Sequence, residues 1–245
     1  MPNQLPIEKL RRNEQLAYWL NLHNSIVLAK VAEIYPITMV KKVFSASRKK
    51  SFFYDREFLL GDQLISLADI QNHVIKNWDN PLVIYGFYLG AVGTPNIRDT
   101  AYSGKTVYRD LEENAVDFIN SVRGTQIWKK TKLRVSSYYT SVAGQFPNFE
   151  EDMLAHVRKY ATGGFKDRLR RVKSVKADVS DWHIADIYNG KSRKGAQTYS
   201  GTSRDGNGEE IRSTQPSHVT DLLRERQRRF ALQKATTGIE TVKSR

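Results

Sequence analysis

Residues 81–92, PLVIYGFYLGAV, are almost wholly apolar. The run falls short of the ~20 apolar residues that cross a bilayer, and no other stretch of the chain approaches that length. It therefore belongs inside a globular core. Periodicity alone does not separate a strand from a core helix in so short a run. Its β-branched and aromatic residues (Val83, Ile84, Tyr85, Phe87, Tyr88) favour a strand. Gly93-Thr94-Pro95-Asn96-Ile97-Arg98 then requires a turn or loop.

The elements around this run follow from local rules. Leu16, Leu20, Val27, Val31 and Ile34 share one face at helical spacing, with Trp19 and Ile26 widening the stripe. This long helix is expected to begin near Pro6 and to stop near Tyr35-Pro36. Residues 52–65 read as a β-hairpin turning at Gly61-Asp62. Ser66 and Asp69 are spaced as a capping box for a helix that points Leu67, Ile70, Val74 and Trp78 inward. Thr106 is placed to cap a helix with Val107, Leu111, Phe118 and Val122 on one side, ending at Gly124. Leu133-Arg134-Val135 suits a short strand, and Phe149–Tyr160 a helix closed by Gly163-Gly164. The fold class expected is α+β: a predominantly helical single domain with a small β-sheet or hairpin, followed by a basic, partly disordered C-terminal tail. The domain spans 1–162. A basic linker follows at 163–215, disordered over 191–215 and ordered locally at 182–190, and a basic amphipathic helix occupies 216–235.

Charge and cysteine narrow the function. The 245 residues hold 39 Lys and Arg against 26 Asp and Glu, a net +13. Residues 161–245 carry 18 basic and 10 acidic side chains, so the excess concentrates in the last third. Such a surplus favours an anionic partner: a lipid surface, a polysaccharide or a nucleic acid. Arg224, Arg226, Arg228 and Arg229 are the anion-binding candidates of the tail helix. With no cysteine, thiolate catalysis, disulfides and Cys-ligated metal are excluded. The five histidines are scattered, so no metal site is assigned, and nothing calls for a cofactor. Ser103-Gly104-Lys105-Thr106 mimics the end of a phosphate-binding loop, but the first glycine of that motif would be Asp99, whose carboxylate repels phosphate.

The anomaly lies in the first helix. Asn21, His23 and Asn24 accompany its apolar stripe, and His23 and Asn24 fall within it. Buried polar groups need partners, because each one left unsatisfied costs ~1–3 kcal/mol. These side chains either tie the helix to the 93–98 loop or line a cleft. Asp69, Gln71, Thr94, Asn96, Arg98 and Tyr102 complete the candidate network.

An ordered series of motifs resembles the family called domain of unknown function 547. It runs through QLAYWLNLHNSIVL (15–28), SLADIQNHVI (66–75), NPLVIYGFYLGAVGTPNIR (80–98), LEENAVDFIN (111–120), LRVSSYY (133–139) and FEEDMLAHVRKY (149–160). DIYNG (186–190) resembles the segment that follows the domain in proteobacterial members. Many members of that family carry cysteines where this chain has Leu89 and Thr94, and a Glu-His pair where it has Gln71-Asn72. By analogy such groups suggest a thiol-hydrolase-like site, whose nucleophile this chain lacks. The resemblance also implies helices ahead of the first motif and a cell-envelope location. Three functional readings follow: a non-catalytic binding or scaffolding module, a hydrolase or transferase using His23 with Asp69 and Arg98, and anion binding through the basic third.

Overall fold

The stripe through Leu16, Leu20, Val27 and Val31 lies on helix α1 (Arg12–Ile34) of a computed structural model that describes residues 7–34, 40, 51–182, 202–204 and 210–212. At 1.5 Å per residue α1 is about 34 Å long, enough to span a small domain. It starts later than the sequence suggests. Glu14 accepts from the Arg11 backbone N–H at 2.9 Å, and Ile7–Lys9 form a separate 3₁₀ turn.

A hairpin of β1 (Phe58–Leu60) and β2 (Gln63–Ile65) follows, its strands flanking Gly61-Asp62 as the sequence suggests, with residues 52–57 outside the pairing. Gly61 takes φ +59°, the left-handed conformation a two-residue hairpin turn needs at its first central position. The Ser66–Asp69 capping box opens helix α2 (Leu67–Asn77): the Ser66 hydroxyl accepts from Asp69 N–H at 3.1 Å, and the Asp69 carboxylate accepts from Ser66 N–H at 2.9 Å. Leu67, Ile70, Val74 and Trp78 are buried as the periodicity required.

The apolar run is not a strand. Asn80 Oδ1 accepts from Leu82 N–H at 3.0 Å and starts a 3₁₀ turn at Pro81–Gly86, after which irregular chain runs through the interior. Val83, Ile84, Tyr85 and Phe87 are wholly buried, yet no strand among the described residues pairs with them. β-branched and aromatic content signals burial here, not pleating.

Helix α3 (Val107–Ile119) buries Val107, Leu111 and Phe118. Thr106 gives it no side-chain cap, because its hydroxyl donates to Asp110 Oδ2 at 2.7 Å. The helix ends before Gly124, whose role is close packing: a Cβ there would lie 2.0 Å from the Phe118 carbonyl oxygen. A three-stranded sheet comes next, β3 (Thr125–Trp128) antiparallel to β4 (Lys132–Ser136), and β4 parallel to β5 (Ser174–Val179). Between β4 and β5 lie α4 (Tyr138–Ser141), α5 (Phe149–Tyr160) and α6 (Gly163–Arg168). Gly163-Gly164 open α6 and do not close α5, whose cap is the extended residue Ala161. In the stretch expected to begin a linker, Gly163–Arg168 form α6 and Ser174–Val179 pair into the sheet as β5. The signal was weak because alternating Lys and Asp on the outer face of β5 read as a solvated charge run.

One core joins α1, α2, α3, α5, the 81–92 run and the inner face of the sheet. Residues 202–204 (β6) and 210–212 (β7) pair as a short antiparallel hairpin. The expected ordered segment at 182–190, beyond Trp182, and the basic helix at 216–235 lie outside the described residues.

Candidate functional site

Irregular chain inside a core leaves its peptide groups without a ladder, and each must find a partner. The 84–96 segment finds them on side chains. Tyr138 donates its hydroxyl to the Ile84 carbonyl at 2.5 Å. Asn114 Nδ2 reaches the Tyr85 carbonyl at 3.1 Å and the Asn96 carbonyl at 3.3 Å. Asn24 donates to the Gly86 carbonyl at 2.9 Å and accepts from Tyr88 N–H at 3.0 Å. Arg123, its side chain 1% exposed, donates to the Thr94 carbonyl at 3.0 Å. Ser136 donates to the Gly93 carbonyl at 2.5 Å. Gly86 has no room for a side chain, since a Cβ would meet Leu20 at 2.6 Å and Leu111 at 2.9 Å. The α1 and α3 faces close on it from two sides.

The sequence-selected residues fall into this frame in different ways. Asn21 grips the Tyr102 backbone twice, donating to its carbonyl and accepting from its N–H, both at 2.9 Å. His23 is wholly buried beneath Phe87. One ring nitrogen lies 3.0 Å from Asn24 Oδ1 and the other 3.1 Å from Gln71 Nε2. The carbonyl oxygen and the amide donor assign a neutral ring with the proton on Nδ1. Burial lowers its pKa to about 4, against the opposing pull of the Asn24 bond. Gln71 is buried as the partner of His23. Thr94 is buried, and its hydroxyl donates to the Ala91 carbonyl at 2.8 Å.

Asp69 stands apart, capping α2 and pairing with Arg56 at 2.9 Å. The Arg56 guanidinium holds its carboxyl below the ordinary range. Asn96 donates to Asp117 at 2.7 Å at the surface. Arg98 reaches the Asp110 carbonyl at 3.1 Å and Glu113 at 2.9 Å. Tyr102 contacts Asn114 through its hydroxyl at 3.0 Å, and burial raises its pKa. Arg224, Arg226, Arg228 and Arg229 lie outside the described residues.

Sequence reasoning missed part of the frame. Asn114 sits on the Val107/Leu111/Phe118 stripe of α3, the same signal that exposed Asn24. Arg123, Ser136 and Tyr138 gave no such sign. A second buried cluster also went unseen: the Tyr85 hydroxyl lies 3.0 Å from that of Tyr139 and 2.9 Å from His156 Nε2. Burial and the nearby Lys159 lower His156 to about 4. Among the described residues no group of three or more histidines and carboxylates could hold a metal ion.

An open cleft of about 200 Å³ lies between Asn21, Asn24, Ser25 and Leu28 of α1 and residues 97–102 of the loop. His23 is not in its wall. Arg98 is, although its Nε–H is shut off from solvent and has no acceptor among the described residues.

No curated protein and no solved structure matches the chain. A family model does, from residue 7 to residue 119, which takes in α1, the hairpin, α2, the buried run and α3. The residues that grip the buried run from α1 and α3 all lie within that match, and over residues 7–119 the chain is similar to the family described as protein of unknown function, DUF547.

Proposed function

We propose that the domain is a non-catalytic binding module that seats a small hydrogen-bonding ligand in the cleft between α1 and the 97–102 loop. The observation that carries this reading is the open cleft of about 200 Å³ itself, whose wall carries the polar side chains Ser25, Arg98, Asp99 and Thr100. Asp110 and Glu113 already balance the Arg98 charge, so a neutral acceptor such as an amide carbonyl suits the place better than a carboxylate.

The rival enzymatic reading has less support. A general base must reach the proton it takes. His23 is enclosed by Asn24 and Gln71, and the Thr94 hydroxyl is committed to the Ala91 carbonyl. Asp69 is held at the start of α2.

The test is a fragment screen rich in amides and carboxylates, followed by ¹⁵N chemical shifts of the full chain. Shifts should cluster on residues 21–28 and 97–102. Ser25→Trp, at an exposed helix position, fills the cleft and should abolish them. Shifts that survive Ser25→Trp would place the site elsewhere. Hydrolysis of an ester or amide panel that is lost in His23→Gln or Thr94→Val would sink the non-catalytic reading.

A further inference from the structure

One face of the three-stranded sheet is exposed at Trp128, Lys132 and Lys176. The sheet's register aligns Gln126, Arg134 and Lys176 across the strands, and likewise Trp128, Lys132 and Ser174. Partners in register point to the same side of a sheet, and successive residues alternate. The inner side therefore carries Ile127, Leu133, Val135 and Val175 into the core. The outer side is basic and holds one large ring, with Trp128 48% exposed. Lys132 and Lys176 are exposed beside it. Lys129 and Lys130 extend the charge at the β3–β4 turn. Lys173 N–H donates to the Thr131 carbonyl at 2.8 Å, which brings a further cation alongside that turn.

Asp178 is the one carboxylate in these strands and their turn, and it faces Arg134 at 2.6 Å and Lys176 at 3.6 Å. Lys129, Lys130, Lys132 and Lys173 make no ion pair among the described residues. The Arg134 guanidinium sits 5.8 Å from the Trp128 ring centroid and braces it.

We propose that this face binds single-stranded nucleic acid, with a base stacked on Trp128 and the phosphates on Lys129, Lys130, Lys132 and Lys173. The chemistry matches on both counts. An exposed ring accepts the π-face of any base, and unpaired lysines exchange condensed counterions for phosphates. Residues two apart on a strand are about 6.8 Å apart and neighbouring strands about 4.8 Å, so the cations form a band and not a point. A bilayer would favour several apolar side chains on this face, and Trp128 is the only one. An anionic polysaccharide would use the lysines without needing the ring. The proposal concerns a surface separate from the cleft at α1 and stands whether or not the cleft binds a ligand.

Fluorescence anisotropy of the full chain with a labelled oligothymidylate of about twenty nucleotides, at low and at moderate salt, tests it. Binding should weaken as salt rises. Trp128→Ala should weaken it about tenfold or more, the size of one base–aromatic stack. Lys130→Glu combined with Lys132→Glu should weaken it further and flatten the salt dependence. Circular dichroism and the denaturation midpoint show that each variant is folded. Heparin and anionic vesicles serve as competing arms. No binding at low salt overturns the proposal. So does an affinity that neither variant changes, which would place the contact off the sheet. Tighter binding of heparin or vesicles, with Trp128→Ala without effect, also overturns it and assigns the face to another polyanion.

Discussion

The 84–96 segment and the β3–β4–β5 sheet solve the same problem in opposite ways. Both pack against the core outside the α-helices. The sheet pairs its peptide groups internally, so its outer side chains are free to be Trp128, Lys132 and Lys176. The 84–96 segment has no ladder, so it draws on Asn24, Asn114, Arg123, Ser136 and Tyr138 from other elements. Polar residues that look like chemistry in α1 are thus committed to backbone, whereas charges that look like bland solubility on the sheet are uncommitted. Where the peptide groups find partners decides which polar side chains remain for binding.

The sharpest way to break this contrast is at Asn24. Its amide serves the Gly86 carbonyl, Tyr88 N–H and His23 at once. Asn24→Leu strands all three in the core and should destabilise the fold by about 3–5 kcal/mol. The urea midpoint measures it. A loss under about 1 kcal/mol would mean that water reaches the segment and that the frame is not structural.

The same contrast explains what was legible in the sequence. The α1 stripe, the Ser66–Asp69 box and β4 follow from spacing and local chemistry, and the structure has all three. The 81–92 run was legible as buried but not as irregular. Its conformation depends on Asn114 and Tyr138, which arrive from far along the chain. β5 was illegible for a related reason: its ladder partner β4 is parallel and separated from it by three helices. The inward turn of His23 was readable from its phase on α1, but its neutral, doubly paired state was not, because Gln71 comes from α2.

Both buried histidines should make stability depend on pH. His23 and His156 are lowered to about 4 in the fold, while an unfolded histidine titrates near 6.5. Between those values the unfolded chain binds more protons, so stability rises with pH. It should be fully present above about pH 6.5 and fall as the pH drops toward 4. Asp69 and Asp178, both lowered by their arginine or lysine partners, act in the same direction at still lower pH. Urea unfolding from pH 4 to 7 reads the slope. His23→Gln and His156→Gln should each remove about one proton from it. An unchanged slope in both would mean that neither ring is buried in its neutral form.

Helix α2 gives a smaller and purely local effect. Ser66→Ala deletes the hydroxyl that accepts from Asp69 N–H. A loss of about 1 kcal/mol is expected, the usual worth of such a cap. Because the site polar groups are untouched, the ¹⁵N shifts of residues 97–102 should stay in place. If they move, the capping box and the cleft are coupled, and Asp69 belongs to the site after all.

The smallest effect lies in the sheet's own turn. Lys129 and Lys130 hold φ values of 50° and 63°, a left-handed conformation that glycine occupies with less strain than a side-chain-bearing residue. Replacing Lys130 with glycine removes that strain but makes the unfolded chain more flexible, and the two effects oppose each other. The net gain should be about 0.5 kcal/mol, seen as a slightly higher urea midpoint. Around the 84–96 segment, replacing Asn24, Asn114, Arg123, Ser136 or Tyr138 costs stability, because each is matched to one of the segment's peptide groups. In the turn, a change that relieves the backbone discards a charge from the basic face. Lys130→Gly should therefore raise stability and weaken oligothymidylate binding together. Asparagine, which tolerates the left-handed region without glycine's flexibility, should behave in the same way. A stabilised variant that binds as well as the wild type would show that Lys130 plays no part in the face.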